Sequence, residues 1–307
     1  MTQTAAAAPA APKKRRLKKE TRETLIAYSF IAPNFIGFAI FTLVPVIFAF
    51  ILAFMKWDGV NPMEFAGLGN FTRMFSDKNF KEAFWHTLVY VLCNVPFTLI
   101  FSLGLAMLLN SKVFGRNFFR TVSFFPYVAS LVAVAAVWNF LFNPSMGPVN
   151  QILSAFGVES LPKWAAGKDT AMMTVIMFSV WKNMGYYMVI FLAGLQGVNP
   201  ELYEAASLDG ANKWQQFRHV TLPQLAPTTF FVTIMVVIAS FKVYNEVYMI
   251  TQGGPGTSTL VLVYQIYNEA FVGPPEYGYA SAISMVLFAM VLVVTLIQFR
   301  GEKKYGQ

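Results

Sequence analysis

Between two long apolar runs lies a polar, helix-prone island, Glu204-Ala205-Ala206-Ser-Leu-Asp209-Gly210-Ala211, followed downstream by Phe217, Val220, Leu222 and Pro223. These residue types suit mechanical contact rather than bond-making. Paired alanines let a short helix pack closely, Gly210 permits a bend that a Cβ would resist, and Leu222-Pro223 breaks the chain before the next apolar run. A second set consists of polar and aromatic residues within the apolar runs: Trp181, Lys182 and Asn183 with Tyr186 and Tyr187, then Lys242, Tyr244, Asn245 and Glu246. Polar side chains at membrane depth are costly and face the bundle interior or a water-filled path. Lys242 and Glu246 are spaced to share one helical face. They read equally as a path-lining pair and as a structural ion pair. No catalytic set accompanies them: neither a Ser/His/Asp nor a His/carboxylate group is placed for chemistry, so the chain reads as no enzyme. His86 and His219 are far apart, without Cys or carboxylate at ligand spacing, and no metal site is assigned. The Gly253-Gly254-Pro255-Gly256 run is followed by Thr257-Ser258 without a Lys, which makes it a turn rather than a phosphate cradle.

The elements that must position these residues follow from composition. Of 307 residues, 56% are hydrophobic and only 12% charged, against roughly 25% charged in soluble domains. The chain is an all-α polytopic membrane protein. A bilayer core takes about 20 apolar helical residues, and that length gives six transmembrane helices at 25–55, 84–110, 121–142, 171–195, 224–250 and 281–299. The runs are continuous, unlike the short alternating segments of a β-barrel. Residues 1–24 form a disordered basic tail, 25–300 the six-helix domain with the polar island (about 201–223) between spans four and five, and 301–307 a second tail. The run at 25–55 is too long for a signal-peptide core, so it is an uncleaved anchor.

Charge sets the orientation. Lys13, Lys14, Arg15, Arg16, Lys18, Lys19 and Arg22, then Lys112, Arg116 and Arg120, then Arg300, Lys303 and Lys304 fall on one side, which positive residues mark as cytoplasmic. The 251–280 segment has no Lys or Arg, and 142–170 has only Lys163 and Lys168, so both are outside. Parity then puts both termini and the 201–223 loop inside. The net charge of +8 is thus a topology signal rather than a nucleic-acid footprint. The single Cys93 lies in an apolar run and excludes an internal disulfide.

In this membrane setting, Glu-Ala-Ala-x-x-Asp-Gly-Ala followed by Phe-x-x-Val-x-Leu-Pro resembles the EAA loop of ABC-transporter permease subunits. The competing reading is a connecting helix lying on the membrane surface. Such helices carry Lys and Arg on the polar face, whereas this one leads with Glu201, Glu204 and Asp209. The resemblance implies that Glu204, Ala205, Ala206, Asp209, Gly210 and Ala211 form a docking helix and its bend, received by a cleft on a separate ATPase. Phe217, Val220, Leu222 and Pro223 would hold the second part against the bundle.

Further motifs extend the likeness over most of the chain from about residue 25. They are Ala32-Pro33, Gly67-Leu-Gly-Asn70-Phe71, Phe125-Pro126, Thr251-Gln-Gly-Gly254-Pro255 and Tyr277-Gly278-Tyr279-Ala280-Ser281-Ala282. Together they are similar to the sugar-permease branch that imports oligosaccharides. That branch implies a second homologous permease, two ATP-binding subunits, an extracytoplasmic solute-binding protein, a sugar substrate and surrounding lipid as partners, with no nucleic acid. It implies no cofactor in this chain, ATP and Mg being held by the ATPase, and a bacterial cytoplasmic (inner) membrane location. Trp181, Lys182, Asn183, Tyr186, Tyr187, Lys242, Tyr244, Asn245 and Glu246 become candidates for the substrate path, since aromatic faces cover a sugar's apolar side and polar groups meet its hydroxyls. The alternative for Lys182 is binding to carbonyls of the partner permease. A glycerol-3-phosphate importer is the alternative within the family, and an ATP-independent secondary transporter the alternative outside it. The latter is disfavoured because the two halves show no clear repeat and acidic residues are nearly absent from the first four spans.

Overall fold

The computed structural model describes residues 19–111 and 114–305. The basic residues 13–18 and Lys112, which contribute to the orientation argument, lie outside them. In chain order, α1 (Lys19–Phe38) and α2 (Val44–Leu52) are joined by a π-helical turn, Ala39–Leu43. The short antiparallel strands β1 (Met55–Lys56) and β2 (Glu64–Phe65) follow. Then come α3 (Gly69–Met74), α4 (Lys78–Asn110), α5 (Arg116–Val128), α6 (Leu131–Leu141), α7 (Pro148–Ala155), α8 (Ala171–Gln196) and α9 (Pro200–Leu208). The chain continues through α10 (Lys213–Gln216), a second π-turn (Phe217–Thr221), α11 (Leu222–Gln224), α12 (Ala226–Phe241), α13 (Asn245–Ile250), α14 (Leu262–Phe271) and α15 (Tyr277–Tyr305).

Helix already covers 19–24 of the expected first tail and runs on to Tyr305 through the described part of the second. Lys, Glu and Arg are good helix formers, so polar flanks prolong the apolar helices into water. Both π-turns sit directly ahead of a proline, Pro45 and Pro223. Val44 N–H reaches back to Ala39 O and Leu222 N–H to Phe217 O, a register shift that reorganises the ladder where the next residue cannot donate.

Residues 1–51 and 52–307 form two units. The described part of the first is an apolar helix exposed nearly all round, with Phe30, Phe35 and Phe41 open, a surface suited to lipid. In the second, α4 is the spine. Ala83, Thr87, Tyr90, Val91, Asn94, Thr98, Ser102, Ala106 and Leu109 recur at helical spacing along its buried face. This face packs chiefly on α8, with α12 and α14 alongside. Asn94 Nδ2 donates to Ser240 Oγ at 2.8 Å, joining α4 to α12, and Leu262 N–H donates to Thr87 Oγ1 at 2.9 Å, joining α4 to α14. Small polar groups of this kind bond helices where no water competes. α5 approaches α8 closely: a Cβ on Gly185 would fall 1.8 Å from Ser123 O.

Among the described residues, four helices are long and apolar enough to cross a membrane: Glu23–Leu52, Lys78–Asn110, Ala171–Gln196 and Tyr277–Gly301. Two more crossings arise if each of two bent pairs counts as one span. The expected helix at 121–142 is no single rod, because Arg116–Val128 and Leu131–Leu141 meet at 102°. Pro126 cannot donate to the carbonyl four residues back, and Ala129 and Ser130 turn to extended backbone. The expected helix at 224–250 ends at Phe241, and α13 starts afresh at Asn245. Lys242 caps the break and is exposed, which lets its amine leave the apolar bundle. Lys242 and Glu246 therefore do not share one helical face, and no ion pair joins them among the described residues.

The α5–α8 crossing gives a direct test. Gly185→Ala should lower the thermal unfolding midpoint in detergent, overpacking of a tight contact costing about 1–3 kcal/mol. Gly104→Ala, where an added Cβ meets nothing within 4 Å, should not lower it.

Candidate functional site

The polar island folds into a helical hairpin with unusually complete end signals. Asn199 caps α9 by accepting from Glu201 N–H at 3.0 Å, with Pro200 in the first turn. Gly210 closes α9 in the left-handed region at φ 79°. Gly210 N–H donates to Ser207 O at 3.1 Å and Ala211 N–H to Ala206 O at 2.9 Å, the paired bonds of a glycine-terminated helix. Asn212 then opens α10 with a reciprocal box: its side chain accepts from Gln215 N–H at 2.9 Å, and the Gln215 side chain accepts from Asn212 N–H at 2.8 Å.

Two side-chain bonds tie the arms together. Tyr203 and Thr221 hydroxyls lie 3.0 Å apart, and Gln216 Nε2 donates to Ser207 Oγ at 2.8 Å. Gln216 and Thr221 are buried. Sequence reasoning passed over all four; their signal is polar residues on the inner faces of two short helices, visible only once the bend is drawn.

The hairpin stands at the ends of α4 and α8, separated from them by a cleft of about 700 Å³ whose walls include Met107, Asn110, Leu195, Tyr203 and Glu204. Glu204, Ala205, Asp209 and Gly210 are exposed, and Ala206 and Ala211 are half-buried. Beside them Leu208 is 89% and Trp214 66% exposed. Phe217 and Val220 are half-buried, but Leu222 and Pro223 are exposed and do not brace the hairpin as expected. The brace is Leu225, fully buried at the 70° bend into α12. Gly194 on α8 makes room for it: an added Cβ would fall 2.7 Å from Thr228 Oγ1 and 3.0 Å from Leu225 Cδ2. Gly194 is thus a packing glycine.

The residues read as path candidates separate into two groups. On α8, Tyr186 stacks on Tyr127 of α5 at 4.4 Å, Lys182 Nζ lies 5.5 Å from that ring's centroid, and Tyr187 meets Tyr186 edge-on at 5.1 Å. Trp181 turns instead to Trp138 of α6, 5.1 Å away, and Asn183 donates to Ser179 O within α8. At the start of α13, Tyr244 joins Tyr248, Tyr264 and Tyr267, all with centroids 5.2–6.3 Å apart. Asn245 is exposed and Glu246 half-buried beside them. The three further tyrosines were missed, although Tyr264 and Tyr267 are spaced for one helical face.

A bundle of apolar helices, broken at two places and carrying a capped, exposed hairpin at one end of its longest helix, defines a polytopic membrane protein of the transporter class. Residues 98–306 match the family model described as binding-protein-dependent transport system inner membrane component. The chain is 36% identical to the probable ABC transporter permease protein YurN of Bacillus subtilis, over 91% of this chain and 96% of that protein. It is 35% identical to the lactose transport system permease protein LacF of Rhizobium radiobacter, over 90% and 93%. Among solved structures it is similar to a bacterial alginate ABC transporter in complex with its alginate pentasaccharide-bound periplasmic protein, with TM-score 0.81, 25% identity, and 94% and 98% of the chains covered. The chain belongs to the family of binding-protein-dependent transport system inner membrane components and is an ABC-transporter permease subunit.

The tethers within the hairpin generate a prediction. Gln216→Ala should remove the bond to Ser207 together with the longer one to Ala211 O, costing about 1 kcal/mol or more, and Tyr203→Phe the bond to Thr221. Amide hydrogen exchange across 200–224 should speed in each variant while exchange in α4 and α8 stays unchanged.

Proposed function

We propose that this chain is one half of the translocation path of an ATP-driven sugar importer, oligosaccharide most of all, and that its 201–223 hairpin is cytoplasmic and couples it to a separate ATPase. In this reading the bent pair 116–141 is one span and 224–250 another, giving six in all, with both termini inside. The second permease, the two ATP-binding subunits with ATP and Mg, and an extracytoplasmic binding protein complete the assembly. The observation that carries the reading is the hairpin. A surface that leaves Leu208 and Trp214 in the open, beside Glu204 and Asp209, is built to be covered by protein. Its caps and tethers make it a unit that transmits force instead of fraying. The lactose and alginate specificities of the relatives named above support a carbohydrate substrate, and the tyrosine groups on α8 and α13 supply the stacking faces that such a substrate needs.

The test is purification of the tagged chain from its native membrane, followed by reconstitution and uptake assays with labelled lactose, alginate oligosaccharide and glycerol 3-phosphate. We expect co-recovery of a second permease and an ATPase, and sugar uptake that requires ATP. Glu204→Lys should cut that uptake at least tenfold, about 1.4 kcal/mol of coupling, with the chain still inserted. Recovery of the chain alone, transporting without ATP, would overturn the assignment.

A further inference from the structure

Near the middle of α8 stands a cation that the described residues leave without a counterion. Lys182 lies about 16 Å along α8 from its first residue, Ala171. The importer reading, on which this inference rests, starts α8 outside. Half of a bilayer core of about 30 Å then puts Lys182 close to the midplane. Neither α5, α6, α8 nor α12 contains an Asp or Glu. The ion pairs among the described residues join Arg73 to Glu276 and Glu269, and Lys78 to Glu82, and Lys182 is in none of them. An amine held at this depth is costly unless something meets it.

What surrounds Lys182 is aromatic. Tyr186 follows it at a spacing of four and so shares its face of α8. Lys182 Nζ lies 5.5 Å from the centroid of the Tyr127 ring, within range of a cation–π contact. Tyr127 and Tyr186 stack at 4.4 Å with their planes 15° apart. A ring face draws a cation but carries no net charge, so the charge of the amine stays uncompensated. Asn183 donates to Ser179 O inside α8 at 2.8 Å, which leaves Lys182 to meet a ligand. Lys182 is half-buried and Tyr127 is 38% exposed, so the group is open on one side.

The two features together select an occupant. Carbonyls of a second permease would accept from the amine, but they bring no charge and leave the Tyr127 ring uncovered. A neutral sugar would cover the ring and leave the charge unmet, whereas glycerol 3-phosphate would meet the charge and has no ring to stack. A saccharide bearing a carboxylate does both: its apolar face lies on the tyrosine while the carboxylate takes a charge-assisted hydrogen bond from the amine.

We propose that Lys182, with Tyr127 and Tyr186, is a selectivity site for acidic saccharides, uronate units above all, and that the path favours them over their neutral counterparts.

The experiment uses the complete assembly, purified with its second permease and ATPase, in lipid nanodiscs and without binding protein, so that only the path selects. Calorimetric titration compares trisaccharides of galacturonate and mannuronate with those of galactose and mannose, which carry hydroxymethyl groups in place of the carboxylates, and with glycerol 3-phosphate. We expect the uronates to bind more tightly than either by about tenfold or more. Lys182→Met should abolish that preference by weakening uronate binding alone, Lys182→Arg should keep it, and Tyr127→Ala should weaken saccharides of both kinds. Equal or undetectable binding of uronates and neutral sugars by the wild type, or a preference that survives Lys182→Met, would overturn the site, while ATP-dependent uptake by the same assembly keeps the importer reading. Loss of the second permease from the Lys182→Met preparation would also overturn it, assigning the lysine to the subunit contact. Recovery of the chain alone, transporting without ATP, would instead bring down the importer reading and this inference with it.

Discussion

The packing of α4 on α8 is the contact on which the rest of the described structure hangs. In lipid the hydrophobic effect does not press helices together, so association depends on close surfaces and internal hydrogen bonds. α4 meets this demand with a buried stripe that alternates apolar residues with Thr87, Asn94, Thr98 and Ser102, and α8 answers with Thr174, Ser179 and Gly185 among larger apolar residues. The opposite face of α4 is apolar and open at Leu92, Phe97, Ile100 and Phe101. One helix thus presents two solvents with the surfaces each requires, protein on one side and hydrocarbon on the other.

The 201–223 hairpin and the 55–77 segment both inherit their positions from this pair. The hairpin hangs from the end of α8 and reaches α12 through Leu225, with Gly194 providing the space. The 55–77 segment leads straight into α4 and is clasped by α15 at Gly278. A displacement at either end therefore acts on a continuous helix rather than on a flexible loop, which is the physical condition for two distant surfaces to influence each other.

Long apolar runs are legible in sequence because lipid allows few alternatives, and the long helices Lys78–Asn110, Ala171–Gln196 and Tyr277–Gly301 fall where composition puts them. The expected third and fifth spans do not, because hydropathy averages over a run and is blind to a break within it. Nothing in the apolar count distinguishes Ala129 and Ser130 from helix, and Lys242 can be read as an interior charge or as a terminus. The bend at Gly210 was legible for a different reason: a glycine at φ 79° is a chemical requirement of that turn, whereas the Asn212–Gln215 box that opens the next helix was not read. What could not be read was tertiary. Gln216, Tyr203 and Thr221 act only across the bend, Tyr127 matters only because α5 crosses α8 at Gly185, and the carboxylates round Arg73 come from segments distant in the sequence.

The two bends are where the architecture departs from a simple bundle, and their placement has a logic. One, at 70°, lies between the hairpin and α12; the other, at 102°, lies between α5 and α6. Each is flanked by prolines or extended residues that have already given up ladder hydrogen bonds, so a change of angle there breaks few others. The intervening elements are held differently: α8 is unbroken from Ala171 to Gln196, and the hairpin is capped at both turns. Rigid pieces joined at weakened points move as levers, whereas a uniformly flexible chain would absorb a push locally. Tyr127, beside the 102° bend, stacks on Tyr186 of unbroken α8, so rotation at that bend must change the aromatic surface next to Lys182. The geometry of the helix break and the chemistry of this aromatic group are thereby linked.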